Sequence, residues 1–381
     1  MGELTPPLGA TPKSSLREDP PLGSVQLPQN PPSAVKSLVA AAFFALSTAG
    51  CGTAEYLAQA GCGQVDLLSR ARDISEVEKD ERVPKRVRDL LGQVDSIKRF
   101  GEENHLKPTK NYHRYVELDR SVVVWVVTAS APLKFQSKTW WFPIVGRVPY
   151  LGWFKAQDAH ALADELRGEG WDADVGGAEA YSTLGWFDDP ILSTMLPEGS
   201  RAIGGLVDVV LHESVHATLY IDEQTPFNES LANFVAGRLT TKYLREKYGE
   251  GSPEARAFED AEERGKRRAA AMHTAYGKLE ALYASALPRE EKLAQKAKIM
   301  TALGAQIHAA RPLNNASLAS FKHYNSGKPE LVALLDACEG SFDRFLSSVS
   351  RLKAKGSFPK KNDYDLKRAL DPLISAGCPP G

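Results

Sequence analysis

The spacing of apolar residues changes twice along the chain, and the changes predict a helical, a β-rich and a second helical region. Apolar positions in 53–104 recur at helical intervals, which predicts two helices. The run Val122–Val127 is continuous and β-branched, as expected of a strand that is buried on both faces. Helical spacing returns after Pro190. It predicts helices over Ile203–Tyr220, Glu229–Tyr248, Pro253–Ser285 and Glu290–Ala309.

The β-rich region also contains one short helix. Ala156–Leu166 is amphipathic at helical spacing, whereas Trp171–Val175 and Ala178–Thr183 have the length and composition of strands. The whole pattern predicts an α+β fold that is mostly helical, with a small β-rich middle segment and a long helical C-terminal part. We divide the body of the chain into a helical segment, 51–110, a β-rich segment, 111–200, and a helical region, 201–381.

The first fifty residues follow neither pattern. Residues 1–35 are rich in Pro, Gly and Ser and carry almost no periodic apolar signal. We predict that they are disordered, or that they come from an overextended reading frame. The basic residue Lys36 then precedes the apolar run Leu38–Leu46. A run of this length is too short to cross a bilayer stably, and it is typical of a signal peptide, here 36–50.

Small residues and a cysteine follow the apolar run. The segment Ser47–Cys51 resembles the lipobox of bacterial lipoproteins, apart from Thr48, where Leu is commoner. The resemblance implies export to the cell envelope of a bacterium, with Cys51 as a lipidated N-terminus that anchors the protein in a membrane. The expected location is the outer membrane or its periplasmic face. The alternative interpretation is a buried apolar helix in which Cys51 has no such role.

Composition narrows the class of partner. The chain has 381 residues, of which 47 are Lys or Arg and 48 are Asp or Glu, so its net charge is −1. Because there is no basic excess to attract phosphates, we predict that the protein does not bind nucleic acid. Its four cysteines are too few for a disulfide framework. If Cys51 is lipidated, three remain, and a Cys338–Cys378 pair is conceivable.

The clearest chemical signal is the segment His212–His216, which has the pattern HExxH. Residues four apart share one face of a helix, so the two imidazoles can bind one metal ion. Glu213 points about 100° away from His212 and is placed to take a proton from water at the metal. Apolar flanking residues predict that the helix is buried, where unpaired polar groups would be costly. The segment therefore predicts a metal site.

A catalytic zinc site requires a third protein ligand and leaves one position for water. The candidates downstream are Asp222, Glu223 and Glu229. A helix that continued past His216 would rotate Asp222 away from the ion. Pro226 and the polar residues before it predict a break, after which a second helix can return antiparallel and bring Glu229 to the ion. We favour Glu229, whose alternative role is to stabilise a helix N-terminus.

Asn233 lies one helical turn beyond Glu229. A metal-bound His normally donates its second ring N–H to an acceptor, and the side-chain carbonyl oxygen of Asn233 is placed to accept it. We therefore predict that Asn233 supports one of the His ligands.

Several segments together resemble the bacterial predicted zinc aminopeptidase family, whose members are usually exported lipoproteins. They are Gly61–Gln64, Ala180–Pro190, the HExxH segment, Phe227–Ser230 and Asn314–Ala316. The likeness covers almost the whole chain after Cys51. It implies a gluzincin-like metallopeptidase fold, with Zn²⁺ on His212, His216 and Glu229, the general base Glu213 and a peptide substrate. The chain departs from the family at Trp141 and Arg147, where relatives are expected to have cysteines.

The resemblance also suggests further site residues. Related gluzincins stabilise the oxyanion with a Tyr or His on a later helix, which here would be Tyr324 or His323. They bind the substrate backbone along an edge strand, here Tyr181–Leu184. Asp188 and Asp189 are candidates for binding the α-ammonium group of the substrate, although a turn cap explains them equally well. The GxMEN pattern of the large gluzincin aminopeptidases is absent.

Three functions remain open at this stage. The first is a lipid-anchored zinc metallopeptidase, an aminopeptidase by resemblance. The second is a zinc endopeptidase or amidase that acts on cell-envelope peptides. The third is a non-catalytic envelope lipoprotein with a relict site. The presence of both histidines, the general base and a candidate third ligand argues against the non-catalytic lipoprotein.

Overall fold

The structure, a computed structural model, describes residues 25–26, 51–142, 146–182, 188–324, 327–354, 356–360 and 365–378. Over these residues the fold is α+β and mostly helical, with small sheets, which confirms the class that the apolar pattern predicts. The predicted signal peptide, 36–50, lies outside the described residues. Within the extension 1–35 the structure describes Val25–Gln26, which form a short strand, β1. The interpretation of 1–35 as a disordered or overextended segment stays a prediction.

Short helices fill the segment 51–110. They are α1 (Cys51–Ser69), α2 (Ile74–Val77), α3 (Lys85–Leu91) and α4 (Val94–Glu103), and the strand β2 (Arg72–Asp73) lies between α1 and α2. The prediction of two helices over 53–104 is wrong. Pro84 caps the N-terminus of α3 and Gly92 follows its last residue, so these two residues divide the second predicted helix.

The main sheet is antiparallel and has the strand order β7–β4–β8. Its strands are β4 (Val124–Ser130), β7 (Tyr150–Trp153) and β8 (Asp172–Ala178). The central strand β4 begins two residues later than predicted and is buried along most of its length, as its β-branched sequence requires. Helix α5 (Ala156–Gly168) packs against this sheet through Ala159, Ala163 and Leu166.

Strand β8 joins residues that the spacing divides between two strands. Gly176 and Gly177 lie inside it, although glycines in a strand usually weaken it. Glycine is needed at position 177 because a Cβ there would lie 2.4 Å from Cγ1 of Val122. The side chain of Val122 occupies the space that a larger residue would fill.

The remaining strands form three small sheets. β3 (Arg114–Val116) pairs with β2 and with β10 (Ile191–Leu192), and β9 (Tyr181–Ser182) pairs in parallel with β1. β5 (Trp140–Phe142) pairs with β6 (Gly146–Val148). Trp141 and Arg147 are direct cross-strand partners in this last pair. The two positions at which relatives are expected to have cysteines are thus adjacent in the fold.

The chain after residue 200 is helical. Its helices are α6 (Arg201–Thr218), α7 (Thr225–Tyr248), α8 (Pro253–Ala284), α9 (Arg289–Gln306), α10 (Asn315–Tyr324), α11 (Lys328–Ala337), α12 (Phe342–Ser350) and α13 (Lys367–Ala376). Helices α6 and α7 form the centre of the largest hydrophobic core, with Leu206, Leu211, Leu231 and Leu239 completely buried. None of the helices in the described ranges is both long enough and apolar enough to cross a membrane.

A group of buried and half-buried charges joins strand β8 to helix α9 and to the residues at the start of α10. Asp172 forms an ion pair with Lys296, and Asp174 accepts two hydrogen bonds of 3.0 Å from the guanidinium of Arg311. Ser317 donates to Asp174 at 3.1 Å, and the backbone N–H of Asn315 donates to Asp172 at 2.8 Å. We call Asp172, Asp174, Lys296, Arg311, Asn315 and Ser317 the polar clamp. It fixes α10 against the sheet.

A disulfide joins Cys338, directly after α11, to Cys378, directly after α13 and the glycine that caps it. The two cysteines are 40 residues apart in sequence, and their Cα atoms are 5.1 Å apart. The pair that the sequence left open is therefore formed. Cys62 is exposed and is not part of a disulfide.

Candidate metal centre

The candidate site lies between helices α6 and α7, which pack side by side. Both histidines of the HExxH segment and Glu213 are in the last two turns of α6, and Glu229 is in the second turn of α7. Helix α7 begins at Thr225, so Pro226 lies in its first turn and not before it. Proline is tolerated there because the first N–H groups of a helix have no partner within the helix.

The three side chains predicted as ligands meet at one point. The Nε2 atoms of His212 and His216 are 3.1 Å apart. Glu229 places one carboxylate oxygen 3.7 Å from Nε2 of His212 and the other 3.5 Å from Nε2 of His216. The three ligand atoms all lie within 4.8 Å of one another, which is close enough for all of them to hold one metal ion.

The burial of this group favours a bound cation. Both carboxylate oxygens of Glu229 are buried and have no hydrogen-bond partner among the described residues. Burial, and secondly the charge of Glu213, raises the pKa of Glu229 well above its usual value. Leaving a buried carboxyl group without a partner costs free energy. A metal ion bound to Glu229 would remove that cost, so the residues fit the metal site that the sequence predicts.

Burial also acts on the two histidines. It lowers the pKa of His212 to about 4, against a smaller opposing effect of a hydrogen bond with the side chain of Asn233. The pKa of His216 is lowered well below its usual value, first by burial and then by the charge of His212. Both rings are therefore neutral at physiological pH, which is the form that binds a metal.

Two further residues lie next to this group. The side chain of Asn233 hydrogen-bonds to His212, which is the contact that the sequence predicts for it. Glu213 is buried next to the ligands, close enough for its charge to raise the pKa of Glu229. The general base and the third ligand proposed from the sequence are thus close neighbours.

The other predicted residues have different surroundings. Asp222 and Glu223 are exposed and are not part of the three-residue group. Asp188 is exposed, whereas Asp189 is 98% buried. Tyr181 begins β9, Tyr324 is the last residue of α10 with His323 before it, and Cys51 is the first residue of α1. Thr183 and Leu184 of the predicted substrate strand lie outside the described residues.

Asp189 contributes to the site through its backbone. The backbone N–H of Tyr112 donates to the carbonyl oxygen of Asp189 at 2.8 Å, and the N–H of Asp189 donates to Oδ1 of Asn111 at 3.2 Å. Tyr112 has a φ of 67°, a left-handed conformation that is rare for a bulky residue. These bonds hold it there, buried and near enough to Glu213 for that charge to raise its pKa, after the larger effect of burial.

Sequence reasoning missed two tyrosines at the site. Tyr112 is far from the motif in sequence, and no periodic pattern marks it. Tyr220 lies four residues after His216, the same spacing that links the two histidines, so a signal was available. Its ring contacts that of His216 with centroids 6.0 Å apart, and burial followed by the charges of Glu229 and Asp222 raises its pKa to about 12.

Together the fold and this group define a mostly helical α+β protein with a buried His–His–Glu group that can hold a metal ion. Residues 55–363 match the family described as "Putative aminopeptidase", and the chain belongs to that family. Membership suggests peptidase activity and a peptide substrate. No curated protein and no solved structure gives a significant match to the chain.

Proposed function

We propose that the protein is a zinc metallopeptidase that hydrolyses peptide bonds, an aminopeptidase as its family indicates. The observation that carries the proposal is the Glu229 carboxyl group, buried between two neutral imidazoles without a hydrogen-bond partner in the part of the chain that the structure describes. Two nitrogen ligands and one carboxylate form a ligand set of catalytic zinc sites, which keep a further position open. Family membership supports the reaction, and the ligand chemistry supports the choice of zinc.

Each residue of the site then has a defined task. When bound, zinc supplies Lewis acidity, which activates a water molecule and polarises the scissile carbonyl group. Glu213 accepts the proton of the attacking water and passes it to the amine that leaves. Asn233 keeps His212 in a fixed orientation through their hydrogen bond. From the sequence, Tyr324 or His323 is a candidate for stabilising the oxyanion.

The exposure of the two aspartates bears on exopeptidase specificity. An aminopeptidase has to bind a free α-ammonium group, usually with a carboxylate. Asp188 is exposed and offers its side chain to such a group, whereas Asp189 is buried. We propose Asp188, and not Asp189, for this role, and Tyr181 of β9 for backbone contacts with the substrate.

We also retain the proposal that the protein is exported and lipid-anchored through Cys51. It rests on the sequence, namely the apolar run Leu38–Leu46 and the small residues before the cysteine. Mass spectrometry of the protein purified from its native cells tests it. A mature N-terminus at Cys51 with attached acyl chains is the expected result, and an intact unlipidated N-terminus would exclude it.

The enzymatic proposal is tested by metal analysis together with peptide digestion. We expect about one zinc ion per chain and cleavage that a chelator abolishes. Glu213→Gln should retain the zinc but lower kcat by a factor of about 10² to 10⁴, because it removes the general base. Unchanged activity in Glu213→Gln would show that the motif is not catalytic.

Substrates with and without a blocked N-terminus separate the two peptidase classes. An aminopeptidase cleaves free peptides and not their N-acetylated counterparts. Cleavage of both would instead indicate the zinc endopeptidase or amidase. Asp188→Asn serves as the matched variant, since it should raise KM for free peptides if Asp188 binds the α-ammonium group.

A further inference from the structure

The chain turns sharply after the second histidine, and this turn brings a phenol to the metal ligands. Helix α6 ends at Thr218, and Leu219 is extended, with φ −141° and ψ 119°. Tyr220 therefore does not continue the helix. Its ring lies against that of His216, with centroids 6.0 Å apart and an angle of 69° between the ring planes.

Asn228 fixes this turn to the start of helix α7. Its Oδ1 accepts a hydrogen bond of 2.9 Å from the backbone N–H of Ile221, and its Nδ2 donates one of 2.8 Å to the backbone oxygen of the same residue. Asn228 is completely buried and is the neighbour of Glu229 in sequence. Its side chain also hydrogen-bonds to the Tyr220 hydroxyl. Asn228 thus holds the turn that carries Tyr220 next to the start of the helix that carries Glu229.

The position of the hydroxyl follows from these contacts. It is near the Glu229 carboxyl group and the Asn228 amide, and the residue is only partly buried. A phenol is protonated at neutral pH, so the hydroxyl can donate a hydrogen bond. A donor that is fixed beside the metal ligands, yet reached by solvent, is suited to a substrate oxygen that becomes charged.

We propose that Tyr220 is a catalytic residue that donates a hydrogen bond to the oxyanion of the tetrahedral intermediate. The inference rests on the proposed function. When water attacks, a C–O bond forms, the π electrons of the carbonyl move to its oxygen, and Glu213 accepts the water proton. Tyr220 donates a hydrogen bond to that oxygen and keeps its own proton. The carbonyl then re-forms, the C–N bond breaks, and the amine leaves with the proton from Glu213.

Tyr220→Phe tests the proposal because it removes one oxygen and leaves the ring contact with His216. We expect unchanged zinc content, a fall in kcat by a factor of about 10² to 10³ and a KM within about threefold of wild type. A phosphinic dipeptide, which imitates the tetrahedral oxyanion, provides a second readout. Its Kd should rise by a similar factor, about 10²-fold.

Tyr248→Phe is the matched control. It removes the hydroxyl that donates to Gln93 at 2.7 Å, at the other end of α7 and roughly 28 Å along the helix from Glu229. We expect its kcat and its phosphinate affinity to equal those of wild type. Tyr324→Phe is made in parallel, because Tyr324 is the competing candidate.

The outcomes separate the two proposals. If Tyr220→Phe keeps kcat and phosphinate affinity within about threefold of wild type, or if Tyr324→Phe alone loses both, Tyr220 is not the donor and the proposed function stands. If wild type cleaves no peptide, the proposed function fails. The phosphinate titration of the zinc-loaded variants then decides the role of Tyr220 alone, and equal Kd values for wild type and Tyr220→Phe would overturn it.

Discussion

The polar clamp and the candidate metal centre both bury charged side chains, yet only the clamp pairs them within the protein. Asp174 accepts hydrogen bonds from Arg311 and Ser317, whereas the Glu229 oxygens have no hydrogen-bond partner among the described residues. Buried charges are tolerated when they are paired and hydrogen-bonded. The clamp is complete without a ligand. A cation would complete the group around Glu229.

This difference predicts that metal removal has the largest effect on stability. At a free zinc concentration 1,000 times the Kd, binding adds about 4 kcal/mol to the free energy of unfolding. Denaturant unfolding with and without a chelator measures the loss. The clamp variant Asp174→Leu should lose the same amount on chelation, since its metal ligands are intact. A wild-type protein that is indifferent to zinc and chelator would contradict the metal centre.

Breaking the clamp should have the next largest effect. Asp174→Leu removes the carboxylate to which the guanidinium of Arg311 and the hydroxyl of Ser317 donate. We expect a loss of about 2 kcal/mol, because hydrogen bonds to a buried carboxylate are lost while water solvates the half-exposed Arg311. The loss should be the same in zinc and in chelator. A variant as stable as wild type would show that the clamp does not hold α10 in place.

Zinc affinity should rise with pH, because Glu229 must lose a proton to bind the ion. Burial raises the pKa of this group, so the metal-free fold binds a proton that the unfolded chain releases, and ionisation destabilises the fold as pH rises. Zinc binding releases that proton. Below the raised pKa we expect about tenfold higher affinity per pH unit, about 1.4 kcal/mol. Calorimetric titrations in buffers of different ionisation enthalpy count the released proton.

We expect a gain in stability, and not a loss, when the metal ligand Glu229 is replaced by an apolar residue. Glu229→Leu removes a buried carboxyl group that has no hydrogen-bond partner within the described ranges. The metal-free protein should therefore gain roughly 1 kcal/mol in its free energy of unfolding. It should also lose zinc binding and activity. Thermal unfolding in chelator compares it directly with Asp174→Leu. If both Glu229→Leu and Asp174→Leu lower the stability of the metal-free protein, the metal centre and the polar clamp do not differ in the way proposed.

Breaking an exposed ion pair should have the smallest effect on the free energy of unfolding. Nζ of Lys85 and Oδ2 of Asp89 are 2.7 Å apart on the surface of α3, and both side chains are more than half exposed. Asp89→Ala should change the free energy of unfolding by less than about 0.5 kcal/mol, because water screens such pairs. A change as large as that of Asp174→Leu would show that burial does not explain the effect of the clamp.

The candidate site was predictable because its signals are local. The four-residue spacing of His212 and His216 places both rings on one face of any helix. Glu229 required only a turn before a returning helix, which Pro226 and its polar neighbours indicate. The structure brings the three together, although the helix begins at Thr225 and includes the proline.

Contacts between distant segments were not predictable. Asp174 and Arg311 are 137 residues apart, and their pairing leaves no periodic mark in the sequence. The spacing divides β8 into two strands at its two glycines, and the packing of Val122 against Gly177 is not visible in the sequence. Tyr112 reaches Glu213 through an unusual backbone conformation, which neither its residue type nor its spacing indicates.

The disulfide between Cys338 and Cys378 closes a covalent ring that contains both α12 and α13. A protease that cuts the backbone once inside this ring would leave two fragments still joined by sulfur. Such a nicked chain would migrate as one species in a denaturing gel without reductant, and would release its C-terminal fragment when thiol is added. Cleavage outside the ring would separate the fragments under either condition.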